Sequence, residues 1–443
     1  MYDILKNRTY RALFSAQVIA LIGTGLLTVA LGLLAFDLAG FQAGAVLGTA
    51  YAIKMVAYVG LAPVASAIAE RLPRKAILIG ADLVRAAIAL MLPFIDAIWQ
   101  IYVLIFVLQA ASATFTPAFQ ATIPDILTDE KDYTRALSLS RLAYEMENLI
   151  SPMLAAVLLA VISYHWLFLG TVIGFVASAL LVFGAAVPPR ALASMQRTFG
   201  DRLTRGVRIY LATPRLRGLL ALNLTAAAVG AFVLVNTVVM VRSGYGADNT
   251  SVAYALAAFG GGSMLAAFAL PALLDRLRDR TVMITAAGLV CVLTFGHASL
   301  LSSYGLLPWT SFLWVWMASG VFYTAIMTPS GRLLRKSAHA EDRPALFAAQ
   351  FALSHACWLI TYPVAGWVGS EQGLPMAMLV LGALGVVGLI MAMIVWPKDD
   401  PLVVDHVHPE LPGDHPHLRD HPAIGHRHAF VIDDEHRAWP TNG

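Results

Sequence analysis

Pro63-Val64-Ala65-Ser66-Ala67-Ile68-Ala69-Glu70-Arg71-Leu72-Pro73-Arg74-Lys75 is a short charged loop with the apolar stretch that leads into it. Its core returns later as Leu274-Asp275-Arg276-Leu277-Arg278-Asp279-Arg280, with Glu70 and Asp275 separated by 205 positions. Ser151-Pro152 and Tyr362-Pro363, late in two further apolar stretches, stand 211 positions apart. Two matches at nearly one offset indicate two halves built on one plan.

Composition says what those halves are made of. Hydrophobic residues are 58% of the 443 and charged residues 13%, against roughly 25% charged in a soluble domain. A helix of about 20 apolar residues crosses a bilayer. Twelve such stretches are present, near 11–36, 44–68, 76–95, 98–120, 139–162, 166–187, 217–241, 251–275, 281–303, 308–331, 344–369 and 374–396. The expectation is an all-α membrane protein of twelve transmembrane helices in two pseudo-symmetric six-helix bundles. The first span is too long for a cleavable signal peptide and has no Ala-x-Ala site. Cys291 and Cys357 both fall inside spans, so no disulfide framework is indicated.

With both termini cytoplasmic, the inner loops, tail and adjoining helix ends collect every Lys and Arg except Arg242 and Lys54. That is the positive-inside pattern. The net charge of +3 therefore reflects topology and gives no reason to expect a nucleic-acid partner. The chain divides into a first bundle (1–187), an inter-bundle loop (188–216), a second bundle (217–396) and a tail (397–443). The loop carries Arg197, Arg202, Arg205, Arg208 and Arg215 at near-helical spacing. It reads equally as an amphipathic helix on anionic lipid or as a solvated linker.

The Pro63–Lys75 loop, followed by Asp82 and Arg85, resembles the loop between spans two and three of the major facilitator superfamily, across roughly residues 1–396. Ser66, Glu70 and Pro73 stand where that family usually has Gly, Asp and a nearby Gly. The resemblance implies a cytoplasmic gate formed by Glu70, Arg71, Arg74, Lys75, Asp82 and Arg85, with Asp275 and Arg276 as the second-half echo. It also implies parallel halves rocking about a central cavity. No Gly-Lys-Ser or Gly-Lys-Thr phosphate loop occurs, and no nucleophile-base constellation, so the expectation is a transporter and not an enzyme. Uphill movement would then draw on an ion gradient, protons above all.

Ionisable residues within spans cost about 2.5–3.5 kcal/mol each at the bilayer centre. Lys54 is ten residues into span two and shares a helical face with Tyr51, Met55 and Tyr58. Span five offers Tyr144, Glu145, Glu147 and Asn148; the two glutamates are about 200° apart around a helix, and either could face inward. In span eleven, His355 stands 211 positions after Tyr144, on a face with Trp358 and Tyr362. The candidate cavity is Tyr51, Lys54, Tyr58, Tyr144, Glu145, Glu147, Asn148, His355 and Trp358.

Eight of the twelve histidines lie in the tail: His406, His408, His415, His417, His421, His426, His428 and His436. Imidazole is a common ligand for divalent transition metals. The prolines between them, Pro401, Pro409, Pro412, Pro416 and Pro422, argue for a disordered segment. The apolar stretch from Ala429 to Pro440 is suited to docking on the cytoplasmic face. Tail and core together resemble the bacterial nickel-resistance exporters. That resemblance implies efflux of Ni²⁺, and of Co²⁺, by proton antiport from a monomer in the bacterial inner membrane. The divalent metal is substrate or tail ligand, and no cofactor is expected. Two alternatives stay open: export of a hydrophobic drug or other organic solute through an aromatic pocket, and a metal sensor that transports nothing.

Overall fold

The structure, a computed structural model, describes residues 2–69, 73–127, 129, 132, 136, 139, 140, 143, 150, 151, 153–188, 199–339, 342–400, 403–406, 426–433, 436, 439 and 440. Helices dominate. The first part of the chain gives α1 (Arg8–Ala39), α2 (Ala43–Ala69), α3 (Arg74–Met91), α4 (Ile98–Ile126) and α5 (His165–Gly184). A shorter α6 (Phe199–Ala212) precedes α7 (Pro214–Val239), α8 (Asn249–Leu274), α9 (Asp279–Tyr304) and α10 (Trp309–Met327). Then come α11 (Ser330–Lys336), α12 (Arg343–Pro363) and α13 (Leu374–Val395).

Among the described residues, ten stretches are long and apolar enough to cross a membrane; one of them, Arg8–Gly60, contains both α1 and most of α2. Every expected span except the fifth is thereby a helix. The fifth is described only in part, with a helical stretch over 153–159.

Hydrophobic burial explains the grouping. α1 and α3 pack on α5, and α2 on α4; α8 packs on α10, and α7 and α9 on α13. The two groups meet mainly where α2 crosses α12. Glycine makes that crossing close: a Cβ on Gly48 would press on the Tyr362 carbonyl and Gly366, and one on Gly366 would press on Gly44. Around it, Trp367 Nε1 donates to Thr49 Oγ1 (3.0 Å), Ala45 N to Ser370 Oγ (3.0 Å) and Asn236 Nδ2 to the Ala365 carbonyl (2.9 Å). Gly366 and Ala365 belong to a π-helical turn, Val364–Val368, directly after Pro363. Such turns free backbone groups for other partners, and Asn236 takes one.

The buried apolar residues reveal an asymmetry between the molecule's two ends. At the arginine-poor end, one cluster joins both halves: Leu26–Ala35 and Ala43–Ala50 pack with Val233–Val241, Ala365 and Met378. At the basic end each half has its own cluster. Tyr10, Leu78, Phe119 and Val182 belong to the first, and Ile209, Leu216, Met283, Leu334 and Trp396 to the second. Among the described residues, the halves are joined at one end and have separate clusters at the other.

The inter-bundle loop departs from both expected readings. Its helix α6 docks on the second half: Ile209 and Tyr210 are fully buried, and Gly206 lets the backbone approach Ala345. Arg205 makes a two-pronged pair with Asp342 (2.6 and 2.8 Å), and Tyr210 Oη donates to Gln350 (2.5 Å). Protein, not lipid or water alone, covers its apolar face.

The tail is partly structured. β1 (Val403–His406) pairs antiparallel with β2 (His426–Ala429), against the expectation of disorder for that stretch. All five prolines fall outside the two strands, which removes the obstacle they posed. The terminal stretch docks as expected: Phe430 and Ile432 are buried in the second-half cluster, and the Trp439 ring stacks 5.3 Å from the Arg215 guanidinium.

Candidate functional site

Where α2 crosses the second half of α12, five of the nine cavity residues come together. Tyr51 and Tyr362, each 6% exposed, lie with ring centroids 5.0 Å apart. Trp358 stacks on Tyr362 (5.0 Å) and meets Tyr323 of α10 edge-on (6.5 Å). About two turns toward the basic end, Tyr58 faces the His355 ring (5.5 Å) and the Phe351 ring (5.8 Å). Lys54 Nζ lies 5.7 Å from the centre of the Tyr58 ring, within reach of the cation–π attraction.

These contacts follow from helical spacing. Tyr51, Lys54 and Tyr58 fall on one face by the i, i+3, i+7 rule; Phe351, His355, Trp358 and Tyr362 do the same on α12. Gly230 on α7 leaves room for the Trp358 ring, which a Cβ there would strike.

His355 Nδ1 lies 2.7 Å from the Phe351 carbonyl. A carbonyl only accepts, so Nδ1 carries the hydrogen and Nε2 is left as an acceptor. Among the described residues, the site thus offers flat apolar surfaces, phenol groups, one ammonium and one imidazole. Aromatic faces with a few polar groups suit an organic molecule.

Tyr144, Glu145, Glu147 and Asn148 lie outside the described residues. Phe351, Tyr323 and Phe259, which meets Tyr323 at 5.6 Å, were missing from the sequence-derived set. Phe351 precedes His355 by four positions, a spacing that could have found it. Tyr323 and Phe259 carry no comparable signal, because α8 and α10 are apolar all round.

At the basic end, Glu70 and Arg71 of the expected gate lie outside the described residues. Arg74, the first residue of α3, pairs with Asp125 near the end of α4. Lys75 Nζ donates to the Ala185 carbonyl (2.9 Å). Asp82 is fully buried, paired with Arg85 and accepting from Ser178 Oγ at 2.7 Å. The Arg85 guanidinium is sandwiched between Phe115 (4.4 Å) and Phe175 (4.5 Å).

In the second half, Asp275 and Arg276 are exposed, and among the described residues neither has an ion-pair partner. Asp279, first residue of α9, does the pairing instead, with Lys336 (2.9 Å) and Arg332 (3.4 Å). All these pairs stay within one half.

Of the tail histidines, His408, His415, His417 and His421 lie outside the described residues. The strand register sets His406 opposite His426 and Val404 opposite His428. His436 is buried, its Nδ1 2.9 Å from Asp433 Oδ1, while Asp433 Oδ2 lies 3.4 Å from His339 Nε2. Among the described residues, no three His, Cys, Asp or Glu side chains converge as a metal site. His297 is buried edge-on to Trp316 (5.7 Å), a packing role on a peripheral helix. Asp37 accepts from Tyr164 Oη at 2.6 Å at the end of α1.

The sequence profile of the Major Facilitator Superfamily matches residues 13–307 and 219–419. The chain belongs to the major facilitator superfamily. It is a multi-pass membrane transporter, not an enzyme. It is 25% identical over 343 residues to the uncharacterized MFS-type transporter YfiS of Bacillus subtilis, covering 74% of this chain and 80% of that protein. It is 26% identical over 192 residues to macrolide efflux protein A of Streptococcus pyogenes, covering 42% of this chain and 46% of that protein. Among solved structures, a D-xylose-proton symporter superposes with a TM-score of 0.66 at 12% identity, covering 90% of this chain and 98% of that one. A bacterial homologue of the lysosomal transporter Spinster, inward-facing, gives a TM-score of 0.66 at 13% identity, covering 87% and 96%. The last two likenesses speak to fold alone.

Proposed function

We propose that this transporter exports a hydrophobic or amphipathic organic solute of the macrolide kind from the cytoplasm across a bacterial inner membrane. The observation that carries the reading is the aromatic wall at the α2–α12 crossing. Among the described residues, Tyr51, Tyr58, Trp358 and Tyr362 stand on it beside Lys54 and His355. Such a surface binds flat or greasy molecules by stacking and area burial, with the cation and imidazole for orientation. The macrolide efflux proteins add support over under half of their own length. His355, with Glu145 or Glu147, is the reading's proton carrier; Lys54 holds a fixed charge that the incoming proton must balance. Both chain ends are cytoplasmic and the protein works as a monomer.

Separate clusters at the basic end and a shared one at the other fit a site reached from the cytoplasm. Erythromycin uptake into inside-out vesicles under an imposed proton gradient tests the proposal. Trp358→Ala and Tyr51→Ala should each lose transport while His406→Ala with His426→Ala leaves it intact. Equal transport by wild type and both aromatic variants would defeat it.

A second reading keeps Ni²⁺ or Co²⁺ as the substrate, with the tail gathering it. The strand register favours it, since His406 and His426 are cross-strand partners and His428 lies two residues along. Ni²⁺ uptake by the same vesicles, reduced by truncation after Lys398, would move the substrate assignment to this reading.

A further inference from the structure

A cavity of about 470 Å³ opens at the basic end of the second half, apart from the aromatic site. Six bases line it: Arg215, Arg278, Arg280, Arg332, Lys336 and Lys398. Against them stand three acids, Asp279, Asp399 and Asp400. The acids are largely spoken for. Asp279 holds Lys336 and Arg332, and Asp400 holds Arg215 at 3.2 Å. Among the described residues, Arg278, Arg280 and Lys398 have no carboxylate partner, and Arg278 and Lys398 are exposed at the mouth. The cavity therefore keeps a surplus of positive charge.

Its depth in the membrane is marked by its neighbours. Leu273 in the last turn of α8 and Leu277 in the α8–α9 turn are 42% and 44% exposed, and Ile394 in the last turn of α13 is 75% exposed. Apolar side chains so exposed on a membrane protein are covered by acyl chains. Leu277 also lines the cavity, so exposed apolar side chains and the basic lining meet there. Arg280 braces the wall by donating to the carbonyl of Trp396 (3.0 Å).

We propose that this cavity binds the phosphate of an anionic phospholipid headgroup. Basic pockets between helix ends on the cytoplasmic side suit such headgroups, and guanidinium groups match phosphate geometry. The acyl chains would lie along Leu273, Leu277 and Ile394. Lys398 and Val403 belong to the same wall and lead directly into β1, so the bound lipid would also hold the root of the tail against the second half. A soluble phosphate offers the same charge but nothing to the apolar band.

Native mass spectrometry of the full-length protein, offered equal phosphatidylglycerol and phosphatidylcholine, is the test. Wild type should retain phosphatidylglycerol preferentially, and Arg278→Ala with Lys398→Ala should reduce that preference several-fold while melting at the wild-type temperature. Equal retention of both lipids, or a preference untouched by the double variant, would overturn the proposal. Inorganic phosphate at millimolar concentration that displaces the lipid completely would overturn it too, in favour of a soluble anion. Leu277→Ser provides a second handle, since it should weaken retention of the lipid without affecting binding of inorganic phosphate.

Discussion

The two ends of this transporter are built differently. At the arginine-poor end the halves share one apolar core, sealed where Gly44, Gly48 and Gly366 let two backbones touch. At the basic end each half closes on itself, with its own core and its own ion pairs. The contrast shows which ends of the two described halves hold each other and which hold only themselves. It also shows what the internal repeat preserves. Arg74 and Asp279 both begin a helix, 205 positions apart, and their partners Asp125 and Lys336 are 211 apart. Position is kept but polarity is reversed. The acidic Asp279 suits the positive end of a helix dipole, whereas Arg74 opposes it and relies on Asp125.

The sharpest way to break the basic end is inside the first half. Asp82→Ala leaves the Arg85 guanidinium buried without its carboxylate, which costs about 3–5 kcal/mol. A marked fall in the melting temperature of the purified protein is expected, larger than for any other single change named here; an unchanged melting point would deny the pair its role. Next is the shared end. Gly48→Leu would overpack the crossing by about 1–3 kcal/mol and so bias the halves toward opening there. An engineered cysteine at Thr49 should then react roughly tenfold faster with an impermeant thiol reagent, since ~1.4 kcal/mol is a tenfold shift.

Smaller effects sharpen the polarity contrast. Arg74→Asp should destabilise, and adding Asp125→Arg should recover about 1 kcal/mol or less, as partly exposed pairs do. Recovery should also follow from Asp279→Lys with Lys336→Asp, but incompletely, because a cation now faces the start of α9. Full recovery in both halves would remove the dipole argument. Smallest is the difference between two helix caps. Asn7 caps α1 through Oδ1 to Thr9 N (3.0 Å), and Asp248 caps α8 through Oδ1 to Ser251 N (2.9 Å). The Ser251 hydroxyl and N–H hold the Asp248 carboxyl below its usual range. Its capping contribution is thus complete above the ordinary value of about 3.9 and disappears as pH falls through the depressed value. Replacement by Asn should abolish that pH dependence in hydrogen exchange at the start of α8, whereas the Asn7 cap has none to lose.

Much of this was legible in the sequence because hydropathy is a strong and additive signal. Every span but the fifth, which lies largely outside the described residues, emerged within a few residues, and Lys54 and His355 were visible as costly residues in apolar surroundings. Two kinds of feature were not legible. The acid that pairs in the second half is Asp279 and not its neighbour four positions earlier, Asp275, because a start of helix, unlike a motif, depends on where the preceding turn ends. Docking of α6 on α12 and the β1–β2 pairing depend on long-range partners such as Asp342 and Ala429, and local pattern contains nothing of them. The aromatic contributions of Tyr323 and Phe259 were hidden for the same reason, on helices with no polar face to orient them.

The central claim is that the aromatic crossing carries an organic solute. The direct measurement is proton-driven uptake of erythromycin and of Ni²⁺, side by side, into proteoliposomes holding the full chain, wild type or Trp358→Ala. The account predicts erythromycin flux that Trp358→Ala reduces at least several-fold. Ni²⁺ flux without erythromycin flux, insensitive to Trp358→Ala, would contradict it.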